Sequence, residues 1–301
     1  LSISQSRGVA IRYNGEEQRG LNANGPGYQN VLRDQFAQAM RTLCNEVEQD
    51  IADLYASASR AYGTPGTTPF GTAGNFTDAS EALKILKDNG APLTGNQLVV
   101  SSAAGANMLG LQSRVDVQGN DSMLRQGVIL STAGMDIRES AQINSHTKGT
   151  GTSYQTDAAA SIGDTTISVD TGSGTILAGD VVTFTGDSNK YLVTSALDSG
   201  SFTIAAPGLL EDVADNTAVT VGNGYAANMA FNRSAIVLVT RAPARPEEGD
   251  LAEDVMLMTD PRSGITFEVS MYKEYRQVHF EVALAWGVSA MKPEHMAVLL
   301  G

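Results

Sequence analysis

The sequence predicts an α+β fold in which a small all-β domain is inserted into a mixed host domain. Three features indicate this: one long amphipathic helix near the start, short helices and strands in alternation after it, and a block of short strands between residues 150 and 224. The chain has 301 residues, of which 42% are hydrophobic and 18% charged. That composition is typical of a folded protein with one large core or two ordinary ones.

The long helix follows the helix-breaking sequence "GPG" at residues 25–27. After it, apolar residues recur at spacings of three and four, which places them on one face of a helix. They are Leu32, Phe36, Met40, Leu43, Val47, Ile51, Leu54 and Ala58. The pattern predicts a helix over about 29–60, which would be roughly 45 Å long. The mean helix of globular proteins has only about 11–12 residues. A helix of this length is typical of a flat or elongated body.

Shorter elements follow the long helix. Asp78 is predicted to cap a helix through "ASEALKILKDNG", with Glu81 at the capping-box position and Gly90 at its end. Next come a strand "QLVVSS", a helix "AAGANMLG", a second short helix near Met123 and Leu124, and the strand pair "GVILS" and "MDIRESAQI".

Composition changes between residues 150 and 224. Strands "TTISV", "DVVTFTG", "YLVTSAL", "SFTIAA" and "AVTV" recur there with Gly, Asp and Ser turns between them, which is typical of a small antiparallel sandwich or barrel. Nine acidic residues against one basic residue, Lys190, leave this segment with −8 of the chain's −13. The acidic residues are Asp157, Asp164, Asp170, Asp180, Asp187, Asp198, Glu211, Asp212 and Asp215. Because they fall about one per turn, solvated turn aspartates are favoured over a calcium site.

After residue 224 the composition again resembles that of the predicted host domain. The strands predicted there are "SAIVLVT", "MLMTD", "GITFEVSMYKE" and "QVHFEVALAWGVSAM". The sequence "GNGYAA" at 222–227 matches a weak dinucleotide-binding pattern, but too few residues follow it for the helix that such a site needs. A glycine-rich hinge, where the insertion rejoins its host, is the favoured interpretation.

Charge and composition exclude several function classes. A net charge of −13 and a pI near 4.6 oppose binding to a phosphate backbone. No apolar run approaches the about 18 residues that span a bilayer, so no membrane partner is expected. A single cysteine, Cys44, excludes an internal disulfide framework.

No catalytic, cofactor-binding or metal-binding residue is predicted, and the chain is not expected to be an enzyme or to need a cofactor. His146, His279 and His295 lie far apart, without partners at metal-ligand spacing, and are interpreted as surface or satisfied residues. Cys44 has no Cys-x-x-Cys neighbour and is interpreted as a helix-packing thiol. Contact through surfaces is therefore the expected mode of action.

An extracellular carbohydrate- or calcium-binding adhesin is an alternative from a different class. It requires aromatic side chains on the surface of the β-domain, whereas Tyr154, Phe184, Tyr191 and Phe202 are interpreted as its core. A small-barrel nucleic-acid binder is opposed by the segment's charge of −8.

Three stretches also carry a family resemblance. A strand "SQSRGVAIRYN" precedes the helix "YQNVLRDQFAQAMRTLCNEVEQDIADLYASAS"; helix, turn, strand and helix follow in "ASEALKILKDNGAPLTGNQLVVSSAAGANMLG"; and the chain closes with "NMAFNRSAIVLVTRAPARP" and "HFEVALAWGVSAMKPEHMAVLLG". In this order they resemble the major capsid (coat) protein of tailed bacteriophages, in the short-tailed-phage subgroup with an inserted immunoglobulin-like domain. The family's N-terminal arm and first extended-loop strand have no counterpart here, so a preceding segment is expected.

The resemblance implies the tailed-phage capsid fold, with a spine helix, peripheral and axial domains and an extended loop. It places the extended-loop strand region at 1–24, the first half of the host at 25–149, the inserted domain at 150–224 and the second half of the host at 225–301. It also implies assembly of the chain with itself, as hexamers and pentamers of an icosahedral shell around viral double-stranded DNA.

The same resemblance implies further partners and a location. A scaffolding protein acts during assembly, a portal joins the shell, and a decoration protein is a further candidate partner. The protein is expected in the virion, after assembly in the bacterial host cytoplasm. A cellular nanocompartment shell with the same host fold is an alternative, which the inserted domain disfavours.

Overall fold

The computed structural model describes residues 2–72, 76–112, 130–132, 134–261 and 263–301, and its mixture of helices and large sheets confirms the α+β class. The predicted helix near Met123 and Leu124 lies outside the described residues. The α-helices are α1 (Gly15–Asn24), α2 (Tyr28–Ala52), α3 (Thr77–Asp88) and α4 (Ser102–Gln112). Short 3-10 helices span Asp53–Ser57 and Pro293–His295. Among the residues described, no helix combines the length and apolar character needed to cross a bilayer.

The strands fall into two sheets. The first nine are β1 (Gln5–Asn14), β2 (Arg60–Tyr62), β3 (Asn96–Val100), β4 (Leu130–Thr132), β5 (Met135–Glu139), β6 (Ser145–His146), β7 (Tyr154–Thr156), β8 (Thr166–Asp170) and β9 (Val181–Phe184). The others are β10 (Lys190–Asp198), β11 (Ser201–Ile204), β12 (Ala218–Val221), β13 (Tyr225–Asn232), β14 (Ile236–Arg241), β15 (Ala252–Thr259), β16 (Thr266–Glu274), β17 (Gln277–Ala290) and β18 (Met296–Leu300). The chain divides into unit 1, Leu1–Ile51 with Leu238–Ser289, and unit 2, Ala52–Val237 with Ala290–Gly301.

Unit 1 is a five-stranded sheet packed against α2. Its strands follow the order β1-β17-β16-β15, each antiparallel to the next, and β14 also pairs with β17. The helix contributes Leu43 and Val47 to the core, where they meet Ile11 and Trp286 from the sheet. The indole N–H of Trp286 donates to the Asp50 carboxylate at 2.7 Å. The apolar periodicity therefore predicted the buried face of α2 correctly.

The helix ends earlier than the predicted end near residue 60. After Ala52 the chain continues as a 3-10 helix, and Arg60–Tyr62 then pairs as a strand with β10 and β18. Leu54 and Ala58 continue the apolar spacing in sequence, but they pack in a separate core of unit 2. The residues near Arg60 therefore pair as a strand and do not continue the helix.

The region predicted as an extended-loop strand also contains a helix, α1. Asn14 caps it: the Asn14 side chain accepts from the backbone N–H of Glu17, and the Glu17 carboxylate accepts from the backbone N–H of Asn14. This reciprocal capping box starts the helix directly after β1.

The capping prediction for α3 is wrong at its start and correct at its end. The helix begins at Thr77, so Asp78 lies within its first turn, where its carboxylate accepts from the backbone N–H of Phe70 at 2.9 Å. Gly90 has φ of 77°, which favours glycine, and Ala91 N–H donates to the carbonyl of Leu86 at 2.9 Å. This is the expected C-terminal capping geometry.

Unit 2 is built on a 13-stranded sheet in the order β11-β8-β7-β12-β9-β10-β2-β18-β13-β3-β5-β4, with β6 pairing to β13. Strands β7 to β12, from the predicted insertion, occupy one end of this order. They include all five predicted strands and one unpredicted strand, β7. β10 joins β2 through the pairs Lys190 with Ala61 and Tyr191 with Arg60. The segment 150–224 therefore shares a sheet with the flanking residues of unit 2 and has a hydrophobic cluster of its own.

Truncation of the buried face of α2 tests the core of unit 1. Leu43 is fully buried, so Leu43→Ala is expected to lower the free energy of unfolding by about 2–5 kcal/mol. Cys44→Ala is the matched control, because the neighbouring Cys44 is exposed. Urea unfolding followed by tryptophan fluorescence measures both, and equal effects of the two substitutions would contradict the packing described.

Candidate assembly surfaces

The three histidines lie in separate surroundings. Among the residues that the structure describes, no three His, Cys, Asp or Glu side chains come together as a possible metal site. His279 Nδ1 lies 3.1 Å from the Glu274 carboxylate, and His295 lies in the 3-10 helix Pro293–His295. Cys44 is exposed on α2, so the interpretation as a helix-packing thiol is wrong. Neighbouring atoms still cover part of the Cys44 side chain, and this desolvation raises the pKa of its thiol. The negative charges of Asp260 and Glu48 raise it further.

Four aromatic residues of the segment 150–224 are in its interior. Tyr154, Phe184, Tyr191 and Phe202 all belong to the hydrophobic core of the segment. Their interpretation as core is confirmed, and they form no aromatic platform on its surface.

Asp180 departs from the prediction of solvated turn aspartates, because it is only 1% exposed. Its carboxylate accepts from the backbone N–H groups of Leu177 at 2.7 Å and Gly149 at 3.0 Å, and it lies 2.8 Å from His146 Nε2. His146 Nδ1 in turn lies 2.8 Å from the Tyr55 hydroxyl. The Asp180 carboxylate can only accept, so His146 donates to it through Nε2–H. In the neutral ring Nδ1 of His146 then carries no proton and accepts from the Tyr55 hydroxyl.

This buried network lies at the start of the segment 150–224. It joins the residues just before the segment, the turn before β9 and the 3-10 helix Asp53–Ser57, all within unit 2. Tyr225 completes it: its ring lies 5.2 Å from that of His146, and its hydroxyl donates to the carbonyl of Gly179 at 2.6 Å. Residue spacing gives no signal for it, because Asp180 and Tyr55 lie 34 and 91 positions from His146.

Unit 1 presents a different kind of surface, along β15. Among the described residues β15 is an end strand of its sheet, and an end strand carries a row of unpaired backbone groups. Its side chains Met256, Leu257 and Met258 are 54%, 61% and 41% exposed. A long apolar end strand of this kind is typical of a surface that associates with another chain.

An apolar groove of about 580 Å³ lies beside that strand, between α2 and the sheet. The helix lines it with Leu32, Phe36 and Met40, and the strands line it with Met256, Met258 and Met271. Methionine side chains adapt to irregular contacts, so this groove extends the apolar surface around β15.

The two ends of the sheet of unit 1 carry opposite charge. β1 at one end contains Arg7 and Arg12 and no acidic residue. β15 at the other end contains Glu253 and Asp254 and no basic residue, and the residues just before it add Glu247, Glu248 and Asp250. Internal ion pairs, Arg7 with Glu46 at 3.9 Å and Lys273 with Glu253 at 2.7 Å, join exposed side chains and contribute little. These charges therefore remain available for a contact with another chain.

Loss of the Asp180 carboxylate tests the buried network. Asp180→Asn is expected to lower the free energy of unfolding by about 1–3 kcal/mol, because buried donors lose their charged acceptor. Asp157→Asn removes an exposed aspartate of the same segment and is expected to have little effect. Chemical unfolding of both variants measures the difference, and a loss of stability in both would mean that net charge is responsible.

The tyrosines of the network predict a loss of stability at high pH. Burial, followed by Asp53 and Asp180, raises the pKa of Tyr55, and burial with Tyr55 and Asp180 raises the pKa of Tyr225. Because the folded state holds these protons more tightly, the linked stability is fully present below about pH 10 and is lost as the pH rises above it. Stability measured from about pH 8 to 11 should fall less steeply in Tyr225→Phe than in the wild type. Tyr275→Phe, at a side chain that is 90% exposed, should keep the wild-type slope.

Comparison with known proteins finds similar solved structures. No protein-family model and no curated protein matches the sequence. A chain from Mycobacterium phage Che8 is similar with a TM-score of 0.49 and 14% identity, covering 99% of this chain and 71% of that chain. A chain of the capsid of Cyanophage P-SCSP1u has a TM-score of 0.44 and 14% identity, with 99% and 72% covered. A chain of the holo-SrpI encapsulin complex from Synechococcus elongatus has a TM-score of 0.41 and 13% identity, with 98% and 73% covered.

Proposed function

We propose that the chain is the subunit of a closed icosahedral shell, the major capsid protein of a tailed bacteriophage, and that it acts by binding copies of itself. The observation that carries this proposal is the complementarity between the two ends of the sheet of unit 1. β1 is basic, and β15 with the residues before it is acidic and apolar. The order of elements along the sequence, which resembles that of tailed-phage capsid proteins, supplies the family.

The directions of the strands allow β1 of one copy to pair with β15 of the next. Along β1-β17-β16-β15 each strand is antiparallel to its neighbour, so β15 runs opposite to β1. A second copy in the same orientation therefore presents its β1 antiparallel to β15. Pairing gives the unpaired backbone groups on both strands their partners and continues the antiparallel ladder.

A contact between two different surfaces of the same chain is heterologous, and such contacts form rings or shells where the rotation closes. Burial of Met256, Leu257 and Met258 supplies the apolar part of the contact. The arginines of β1 and the carboxylates near β15 select the partner and the orientation, and they raise the rate of association.

The remaining parts of the function follow from the same proposal. An acidic chain repels DNA, so the shell encloses double-stranded DNA without binding it specifically. A scaffolding protein and a portal take part in assembly in the bacterial cytoplasm, and the product is the virion, with a decoration protein as a further candidate partner. The segment 150–224 acts as an inserted domain that contributes to folding and to shell size.

Assembly tests the shell directly. Co-expression with the scaffolding protein from the same genome is expected to give closed particles of several hundred subunits, visible by negative-stain microscopy and sedimentation. A chain that remains monomeric under these conditions would overturn the proposal. Particles from infected cells should hold DNA, whereas particles that hold a protein cargo would favour the nanocompartment alternative.

Charge reversal tests the pairing of β1 with β15. Arg7→Glu with Arg12→Glu, or Glu253→Arg with Asp254→Arg, should lower the yield of particles because the contact then brings like charges together. All four substitutions in one chain should restore the yield. Arg41→Glu, an exposed reversal on α2, is the control. If particles form equally well in all variants, the pairing of β1 with β15 is wrong while the shell itself stands.

A further inference from the structure

A cavity of about 320 Å³ lies where the inserted segment meets the host in unit 2. The host lines it with Arg60 from β2 and with Lys84 and Asp88 from α3, and the inserted segment lines it with Asn189 and Lys190. Lys190 is the only basic residue of residues 150–224, in a chain whose net charge is −13. The cavity therefore gathers three cationic groups beside two carboxylates, Asp88 and Glu81, which also lines it.

Arg60 carries unused hydrogen-bonding capacity in this cavity. Its side chain is 7% exposed, and its Nη1 donates to the Asn189 side chain at 3.3 Å. Nε and Nη2 are buried and have no hydrogen-bond partner among the residues that the structure describes. These two nitrogens form one edge of the planar guanidinium, the edge that holds a carboxylate or a phosphate through two parallel hydrogen bonds. A buried donor without an acceptor costs free energy. An acceptor group bound at this edge would remove that cost.

The nearest carboxylate does not fill the edge. Asp88 Oδ2 lies 3.5 Å from Arg60 Nη2 without forming a hydrogen bond, and the Asp88 side chain is 49% exposed. Because Nε and Nη2 are closed to solvent, an oxyanion reaches them only when Asp88 turns toward solvent, and the exposure of Asp88 allows that movement.

The two lysines are placed to support an anion. Lys84 is 64% exposed and lies 3.5 Å from Glu81. Lys190 donates to the carbonyl of Gly63, and burial lowers the pKa of its ammonium group. A bound anion would favour the charged form of Lys190 and offset the cost of its burial.

We propose that this cavity binds an oxyanion, a phosphate or a carboxylate group, on the Nε and Nη2 edge of Arg60 with Lys84 and Lys190 beside it. Because Arg60 and Lys84 belong to the host and Lys190 to the inserted segment, the bound group links the two parts of unit 2. The site is independent of shell formation and is tested on the full-length chain before assembly.

Calorimetric titration with inorganic phosphate, and separately with acetate, tests the site at an ionic strength held constant with chloride. Arg60→Lys keeps the charge but loses the two-nitrogen edge, so binding should weaken about tenfold. Lys84→Gln should weaken it by roughly two- to fivefold, as expected for one exposed charge. Lys87→Gln removes an exposed lysine of the same helix that does not line the cavity, and it should bind as the wild type does.

Asp88→Asn provides a second test of the site, which does not depend on whether Arg60→Lys folds. It removes the carboxylate that competes for the edge, so the oxyanion should bind more tightly than to the wild type. Tighter binding of phosphate than of acetate identifies a phosphate group as the occupant, and the reverse identifies a carboxylate. Absence of binding above the chloride control overturns the site. Equal weakening by Lys84→Gln and Lys87→Gln, or no gain in Asp88→Asn, also overturns it.

Discussion

Each strand of a sheet needs hydrogen-bond partners on both sides, and the two end strands of an open sheet lack them on one side. This constraint governs both units. In unit 2, β10 of the segment 150–224 pairs with β2, so strands from inside and outside this segment form one sheet. In unit 1, among the described residues, β1 and β15 keep one free side each. The end strands of unit 1 are therefore where another chain can add to the fold.

The long helix stabilises the sheet that carries those ends. One face of α2 packs Leu43 and Val47 against the sheet, and the Trp286 indole is held by Asp50 on the same helix. Burial of this face stabilises β1, β16 and β17, which share the core with the helix, and β15 is held by its pairing with β16. A surface that is already ordered loses less conformational entropy when a partner binds.

Local sequence patterns predict most helices and strands. The features that they do not predict depend on contacts between residues far apart in the sequence. Periodicity found the buried face of α2, and turn residues found the strands of the insertion. The capping box that begins with Asn14 is also a local signal, because its Asn-x-x-Glu spacing stands in the sequence. The burial of Asp180 could not be predicted, because its partner His146 lies 34 positions away and only the fold brings them together. The exposed position of β15 depends in the same way on strand order, which no local pattern encodes.

Charge limits how copies of this chain can meet. Two chains of −13 each repel one another at long range, so a random encounter of their surfaces is unfavourable. A contact that places basic groups against acidic ones offsets this repulsion, and β1, with Arg7 and Arg12 and no acidic residue, offers one such basic surface. The carboxylates before and within β15 face it across the proposed contact, while two copies of β15 would repel each other. The same charges that oppose symmetric pairing of this strand thus favour a directional, head-to-tail contact, which is the kind that builds rings and shells.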